Sequence, residues 1–191
     1  MPVIIYLHGL NSSPQSHKAQ LLKTRMEQLG KASAFCCPAL PDQPDQAIRM
    51  IEDEIGRHDS ADVTFVGSSL GGYYATWLAE KHDLRAVLVN PAIRPHTGLR
   101  SLLGRQQNLH GGAGYELTED HLGQLEKLFV RKVTPKRYLL LLETGDELLD
   151  YRKAVKKYRG CKQIIVEGGD HTLVSFPEHI PRILDFSRLA N

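Results

Sequence analysis

Gly67-Ser68-Ser69-Leu70-Gly71 sets a serine two residues from a glycine on either side. A serine hydroxyl is a poor nucleophile until a neighbouring imidazole accepts its proton and a carboxylate holds that imidazole in the right tautomer. Both groups occur later in the chain: Asp146 in Thr144-Gly145-Asp146-Glu147, and His171 in Gly168-Gly169-Asp170-His171. Ser69, Asp146 and His171 thus occur in the order nucleophile, acid, base. The chemistry they could perform together is acyl transfer through a covalent acyl-enzyme. A glycine-serine turn ahead of a phosphate-binding helix would share the five-residue pattern, but neither GxGxxG nor GxxxxGKS/T accompanies it.

Other groups compete for the acid and base positions. Glu143, Glu147, Asp150 and Asp170 all lie close to Asp146 or His171 in the chain. Position favours Asp146: Glu143 still falls inside an apolar strand, Asp150 opens the next helical stretch as its N-cap, and Asp170 adjoins the histidine too closely to bridge it. Of the nine histidines, His17, His58, His82 and His179 fall on helix faces expected to be solvated. No HExxH or comparable ligand spacing occurs, so no hydrolytic metal site is expected.

Three residues so far apart can meet only if the fold gathers them. Val3 to Leu7 is short, rich in β-branched residues and bounded by His8-Gly9, which suits a buried parallel strand. Beyond the polar loop Asn11-Ser12-Ser13-Pro14-Gln15, the residues Ala19, Leu21, Leu22, Met26 and Leu29 fit one face of a helix that Gly30 would stop. A second strand is expected over residues 32–37 and a second helix on Ala47, Ile48, Ile51 and Ile55. A third strand over 61–66, beginning at Ala61, runs straight into Gly67, and residues 73–81 lack helix breakers. Residues 84–90, 138–143 and 163–166 read as further strands, with helices over 151–158 and 178–189.

Such alternation requires a parallel sheet with crossovers on both faces, an α/β chain forming a three-layer α/β/α sandwich of about six parallel strands. Ser69, Asp146 and His171 each stand just past the C-terminal end of an expected strand, and in open α/β sheets those ends share one rim. Residues 93–136 break the alternation, showing no strand pattern but glycines at 98, 104, 111, 112 and 114 and a helical stretch over 118–128. An insertion this long in a single domain of residues 1–191 is expected to be a short lid, the alternative being a mobile surface loop.

His8-Gly9 at the end of the first strand suggests the remaining half of the chemistry. In hydrolases of this architecture the next backbone N–H helps bind the oxyanion, which points to Leu10, with the Leu70 N–H as its counterpart. His8 itself is expected to brace the loop. Tyr73, Tyr74 and Trp77 sit at helical spacing and read as core, and Arg94, Arg100 and Arg105 as solvated loop side chains.

With 191 residues, 41% hydrophobic and 24% charged, the chain has ordinary globular composition and the length of one domain. Its net charge of +2, from 24 basic and 22 acidic residues, is too small for the basic face that nucleic acid requires. Cys36, Cys37 and Cys161 form no CxxC pair and are expected to be free thiols in a reducing compartment. The apolar run before His8 is short and lacks a basic leader, so no secretory signal or membrane anchor is expected, and a cytoplasmic location is.

Longer stretches carry a resemblance. They are Tyr6-Leu7-His8-Gly9-Leu10-Asn11-Ser12-Ser13-Pro14, then Gly67-Ser68-Ser69-Leu70-Gly71-Gly72-Tyr73-Tyr74-Ala75-Thr76-Trp77-Leu78, then Val89-Asn90-Pro91-Ala92. To these add Thr144-Gly145-Asp146-Glu147, Leu149-Asp150-Tyr151-Arg152 and Glu167-Gly168-Gly169-Asp170-His171. Over essentially its whole length the chain resembles the small bacterial α/β-hydrolase esterases of the YqiA/YcfP type. The resemblance implies a minimal α/β-hydrolase fold and esterase activity on a small-molecule acyl ester or thioester. It also implies no cofactor, with Ser69, Asp146 and His171 at the catalytic positions. Asp170 departs from it, standing where asparagine is expected. A binding protein that keeps the fold without catalysis, and an acyltransferase or perhydrolase using the same three residues, remain as alternatives; the oligomeric state is open.

Overall fold

The computed structural model describes residues 1–59, 62–109, 111 and 114–190. Its strands are β1 (Val3–Leu7), β2 (Phe35–Cys36), β3 (Val63–Ser68), β4 (Arg85–Val89), β5 (Gly104–Gln106), β6 (Tyr115–Leu117), β7 (Tyr138–Glu143) and β8 (Lys162–Val166). The helices are α1 (His17–Gln28), α2 (Pro44–Ile55), α3 (Leu70–His82), α4 (Pro95–Gly98), α5 (Glu119–Lys127), α6 (Tyr151–Lys157) and α7 (Phe176–Phe186). Six strands form one parallel sheet in the order β2-β1-β3-β4-β7-β8, while β5 and β6 pair antiparallel in a separate ribbon.

Alternation along each central strand explains the layers. In β1, Val3, Ile5 and Leu7 point into a core shared with Ile48 and Ile51 of α2, Tyr73 and Leu78 of α3 and Ala154 of α6. Ile4 and Tyr6 point the other way, against Leu22 and Met26 of α1 and Phe176, Ile180 and Ile183 of α7. Every β1 residue is buried, because a strand covered on both faces has no solvent side. The result is the expected three-layer α/β/α sandwich. After β1 the chain turns outward to β2 and then returns to the other side of β1 as β3. The strand order therefore reverses between β1 and β3, and in open α/β sheets the crevice at such a point is where ligands bind.

Three elements differ from the sequence reading. The second strand shrinks to Phe35–Cys36, because Ala32–Ala34 closes a single 3-10 turn after the Lys31 N–H caps α1 on the Met26 carbonyl at 2.8 Å. The third strand begins at Val63, its expected start at Ala61 lying outside the described residues, and it continues through Ser68. Residues 93–136 contain the β5–β6 ribbon where no strand is expected: of its six residues only Leu117 is buried, so no apolar alternation announces it. Gly112, one of the expected loop glycines, lies outside the described residues.

Ribbon and helix are tied down differently. The Leu109 N–H donates to the Asn11 carbonyl at 2.7 Å and the Tyr115 hydroxyl to Asn11 Oδ1 at 2.9 Å, so the ribbon rests on the loop after β1. The buried Tyr73 hydroxyl donates to the Leu125 carbonyl at 2.8 Å, joining α3 to α5. Tyr73→Phe is expected to lower unfolding free energy by about 1 kcal/mol, the net worth of one such bond. Urea unfolding followed on Trp77, the single tryptophan, measures it, and an unchanged midpoint would mean the two helices are held by apolar contact alone.

Candidate active site

The serine stands on a strained turn. β3 ends at Ser68 and α3 begins at Leu70, leaving Ser69 alone to reverse the chain at φ 54° and ψ −116°. A non-glycine residue there costs about 1–3 kcal/mol and persists only when its surroundings hold it. They do. The Ser69 N–H donates to the Val89 carbonyl at 3.0 Å, and the Ser69 carbonyl accepts from the N–H groups of Gly72 and Ala92, each at 3.0 Å. The flanking glycines are steric requirements: a Cβ on Gly67 would meet the Gly71 carbonyl oxygen at 2.5 Å, and one on Gly71 would overlap the Leu7 carbonyl.

Three sequence-predicted residues converge at this turn. His171 Nε2 lies 3.1 Å from Ser69 Oγ, and His171 Nδ1 lies 2.8 and 3.0 Å from the two Asp146 carboxylate oxygens. Asp146 Oδ1 also accepts the N–H groups of Leu148 and Leu149 at 2.9 and 2.8 Å. Burial by itself would raise the Asp146 pKa. The bonds from His171, Leu149 and Leu148 outweigh it and hold the carboxyl below its ordinary value. An ionised carboxylate only accepts, so the imidazole proton sits on Nδ1 and the Nε2 lone pair faces the serine hydroxyl.

This shift carries a stability prediction. Because the folded-state pKa of Asp146 is depressed, its stabilising contribution is present above the ordinary carboxylate pKa of about 4 and fades as pH falls through the lower folded value. The stability gap between wild type and Asp146→Asn should therefore shrink as urea unfolding is repeated from about pH 6 toward about pH 2.5. A gap that stays constant would mean that ionisation of Asp146 contributes nothing to the fold.

Leu10 and Leu70 flank the same turn. Leu70 opens α3, so its N–H is among the first-turn donors without an intrahelical acceptor. Gly9 lies against the nucleophile, since a Cβ on it would be 3.3 Å from Ser69 Cβ. His8 is buried; its Nε2 accepts the Leu40 N–H at 3.1 Å, which leaves the proton on Nδ1 to donate to the Gly9 carbonyl at 3.1 Å. Gly9 C=O and Leu10 N–H share one planar trans peptide, so pinning the carbonyl to His8 turns the Leu10 N–H the opposite way. Leu10 and Leu70 both line a cavity of about 340 Å³.

Other residues of the site escape a reading of the sequence. Glu143, wholly buried at the end of β7, accepts the N–H groups of Asp170, Val174 and Ser175 and the Ser175 hydroxyl at 2.6–3.1 Å. Asn90, just past β4, donates to the carbonyls of Asp170 and His171 at 3.1 and 3.3 Å and accepts the Glu143 N–H at 3.1 Å. Glu147 accepts the His171 N–H at 3.0 Å. Together they fix the backbone of the His171 loop. The legible hint is Glu143 itself, an acid closing the apolar run Tyr138 to Leu142, where only a fully bonded carboxylate is tolerated.

Asp170 turns away from the imidazole: its Oδ1 accepts the Thr172 N–H at 2.7 Å and closes the loop's own turn. Asp150 caps α6 by accepting the Arg152 N–H at 3.1 Å. His179 departs from expectation. It is 7% exposed, because it shares the apolar face of α7 with Phe176 and Ile183, and its Nε2 lies 3.2 Å from the Ser175 hydroxyl. Tyr73 and Tyr74 are buried; Arg94 stacks 5.0 Å over Phe129, and Arg100 pairs with Glu119 at 2.6 Å.

Burial pushes the Cys36 and Cys161 thiols up to about 11 and Cys37 up to about 12, so none offers a thiolate nucleophile near neutral pH. Among the described residues no cluster of three or more His, Cys, Asp or Glu is placed to hold a metal ion, and no helix is long and apolar enough to cross a membrane.

Comparison with known proteins agrees with this architecture. The profile of UPF0227, described as an uncharacterised protein family, matches residues 3–188. The UPF0227 protein YcfP of Salmonella paratyphi B is 22% identical over 190 residues, covering 98% of this chain and 100% of the relative. Among solved structures, mouse alpha/beta hydrolase domain-containing protein 10 superposes with a TM-score of 0.76 at 16% identity, covering 100% of this chain and 91% of that one. A monoacylglycerol lipase of Paleococcus ferrophilus gives 0.69 at 14% identity, with 98% and 94% covered. The fold is that of the α/β-hydrolases.

Proposed function

The chain belongs to the UPF0227 family, and on that premise we propose that it is a serine esterase hydrolysing small-molecule acyl esters or thioesters. One observation carries the reading: Ser69 Oγ, His171 and the Asp146 carboxylate form a continuous hydrogen-bonded line, with 3.1 Å on one side of the imidazole and 2.8 Å on the other. The order of residues, the strained serine turn and the hydrolase and lipase names of the structural neighbours support it.

The mechanism rests on the groups present. Ser69 Oγ attacks the acyl carbon while His171 Nε2 takes its proton, and ionised Asp146 stabilises the imidazolium without itself being protonated. The backbone N–H groups of Leu10 and Leu70 receive the developing oxyanion, each donor worth about 3–4 kcal/mol in the transition state. His171 then protonates the departing alcohol or thiol, and water activated by the same imidazole releases the acid and restores Ser69. No cofactor enters the cycle. Residues 93–136 form the lid in this reading, resting on the loop that carries Leu10, and the three free cysteines are consistent with a cytoplasmic enzyme.

The test is direct. A fluorophosphonate should label the folded protein once, with the adduct on the Ser69 peptide by mass spectrometry, and a panel of 4-nitrophenyl esters and acyl thioesters should be turned over by wild type. A protein that stays unlabelled and turns over nothing would reduce the chain to a binding protein on a hydrolase fold.

A further inference from the structure

The cavity beside Ser69 contains polar side chains for which acyl transfer itself has no use. Asp42, Tyr74 and Tyr115 line it together with Leu10 and Leu70. Tyr74 is 3% exposed. Burial, followed by the nearness of Tyr115, Tyr73 and Asp42, raises its pKa and keeps it a protonated phenol.

Behind Asp42 stands a buried donor. His121 of α5 is 2% exposed, and its Nδ1 accepts the Thr118 N–H at 3.2 Å, which leaves the ring proton on Nε2. Among the described residues that Nε2 has no hydrogen-bond partner, and it lies 4.0 Å from Asp42 Oδ2, beyond hydrogen-bond reach. Asp42 is the carboxylate in the cavity lining, an acceptor open to a ligand's donor, while the His121 Nε2–H lies outside that lining, 4.0 Å from the same carboxylate.

The cavity also has a side. His171 must reach the leaving-group oxygen, yet neither His171 nor any residue of its loop lines this cavity. It is therefore the acyl group that enters. At about 340 Å³ it sits at the small end of ligand pockets, which run roughly 300–1,000 Å³. Resting on the serine-esterase reading, we propose that this cavity selects short acyl groups bearing a hydrogen-bond donor, a hydroxyl or an amine, which the Asp42 carboxylate accepts beside Tyr74.

Values of kcat/KM for the 4-nitrophenyl esters of hexanoate, 6-hydroxyhexanoate and 6-aminohexanoate test this. At least one donor-bearing ester should be favoured over hexanoate by about tenfold or more, and the arm that wins distinguishes hydroxyl from ammonium. Asp42→Asn and Tyr74→Phe should each bring that ratio down about tenfold; Asp42 lies in a half-open loop, so its variant decides if Tyr74→Phe fails to fold. Hexanoate cleaved as well as either analogue, or a ratio unmoved in Asp42→Asn, overturns the proposal. If Ser69 takes the fluorophosphonate while the ratio stays near one, the cavity assignment alone falls. An unlabelled and inactive protein removes the esterase reading and this inference with it.

Discussion

Replacing Ser69 by alanine is expected to lower kcat for a short acyl ester by about four to six orders of magnitude, and His171→Ala by as much. The reason lies in the geometry. Without the hydroxyl 3.1 Å from His171 Nε2 no acyl-enzyme can form, and without the imidazole the hydroxyl keeps its proton. Asp146→Ala should cost less, about four orders of magnitude, because the histidine loop keeps its own anchors at Glu143, Glu147 and Asn90 when the carboxylate is lost.

Residues that act as one unit do not add. The double variant Ser69→Ala/His171→Ala should therefore be no slower than either single variant, with the residual rate supplied by the Leu10 and Leu70 amides. Steady-state rates calibrated by fluorophosphonate active-site titration provide the measurement. A Ser69→Ala protein within about tenfold of wild type would mean that another nucleophile works in this cleft.

Why three distant residues can be foreseen at one point, while the residues that hold them cannot, has a physical explanation. Strand ends are written locally: Val3 to Leu7 and Tyr138 to Glu143 announce themselves by apolar runs, and the residues just past such strands must share one rim. Ser69, Asp146 and His171 need only that rule and the demands of serine chemistry. Asn90 and Glu147 act through bonds to backbone groups 24 to 81 residues away, and nothing in their neighbourhood records the partner. His179 is a polar residue on a helix, which by itself suggests a solvated face, whereas Phe176, Ile180 and Ile183 turn that face inward. The β5–β6 ribbon is invisible for a related reason: its strands are three residues long and bury only Leu117, too little for an apolar alternation to register. Asp42, Tyr74 and His121 come from a loop, α3 and α5, and only the fold brings them near one another.

Glu143→Leu should be the most damaging substitution outside the reacting residues. Three backbone N–H groups and the Ser175 hydroxyl converge on this one buried carboxylate. Leucine would leave the three N–H groups without an acceptor and the Ser175 hydroxyl with only His179 Nε2, 3.2 Å away, a loss of about 3–5 kcal/mol against a total stability of roughly 5–15. Glu143→Gln should fall between, because its amide keeps one acceptor oxygen and sets an NH2 group against the remaining donors. The same loop carries His171, and a displacement of about 1 Å at a reacting group costs roughly a hundredfold in rate. kcat of Glu143→Gln, measured where the variant is still folded, should therefore drop about a hundredfold with little change in KM. Burial alone would raise the Glu143 pKa, but the bonds from Ser175, Asp170 and Val174 bring it below the ordinary value. Its contribution is thus present above about pH 4 and lost as pH falls through the lowered folded pKa, so wild type and Glu143→Gln should converge in stability in acid. Full kcat in Glu143→Gln, together with a stability loss in Glu143→Leu under about 1 kcal/mol, would assign the loop to Asn90 and Glu147 alone and leave Glu143 without a part in positioning the base.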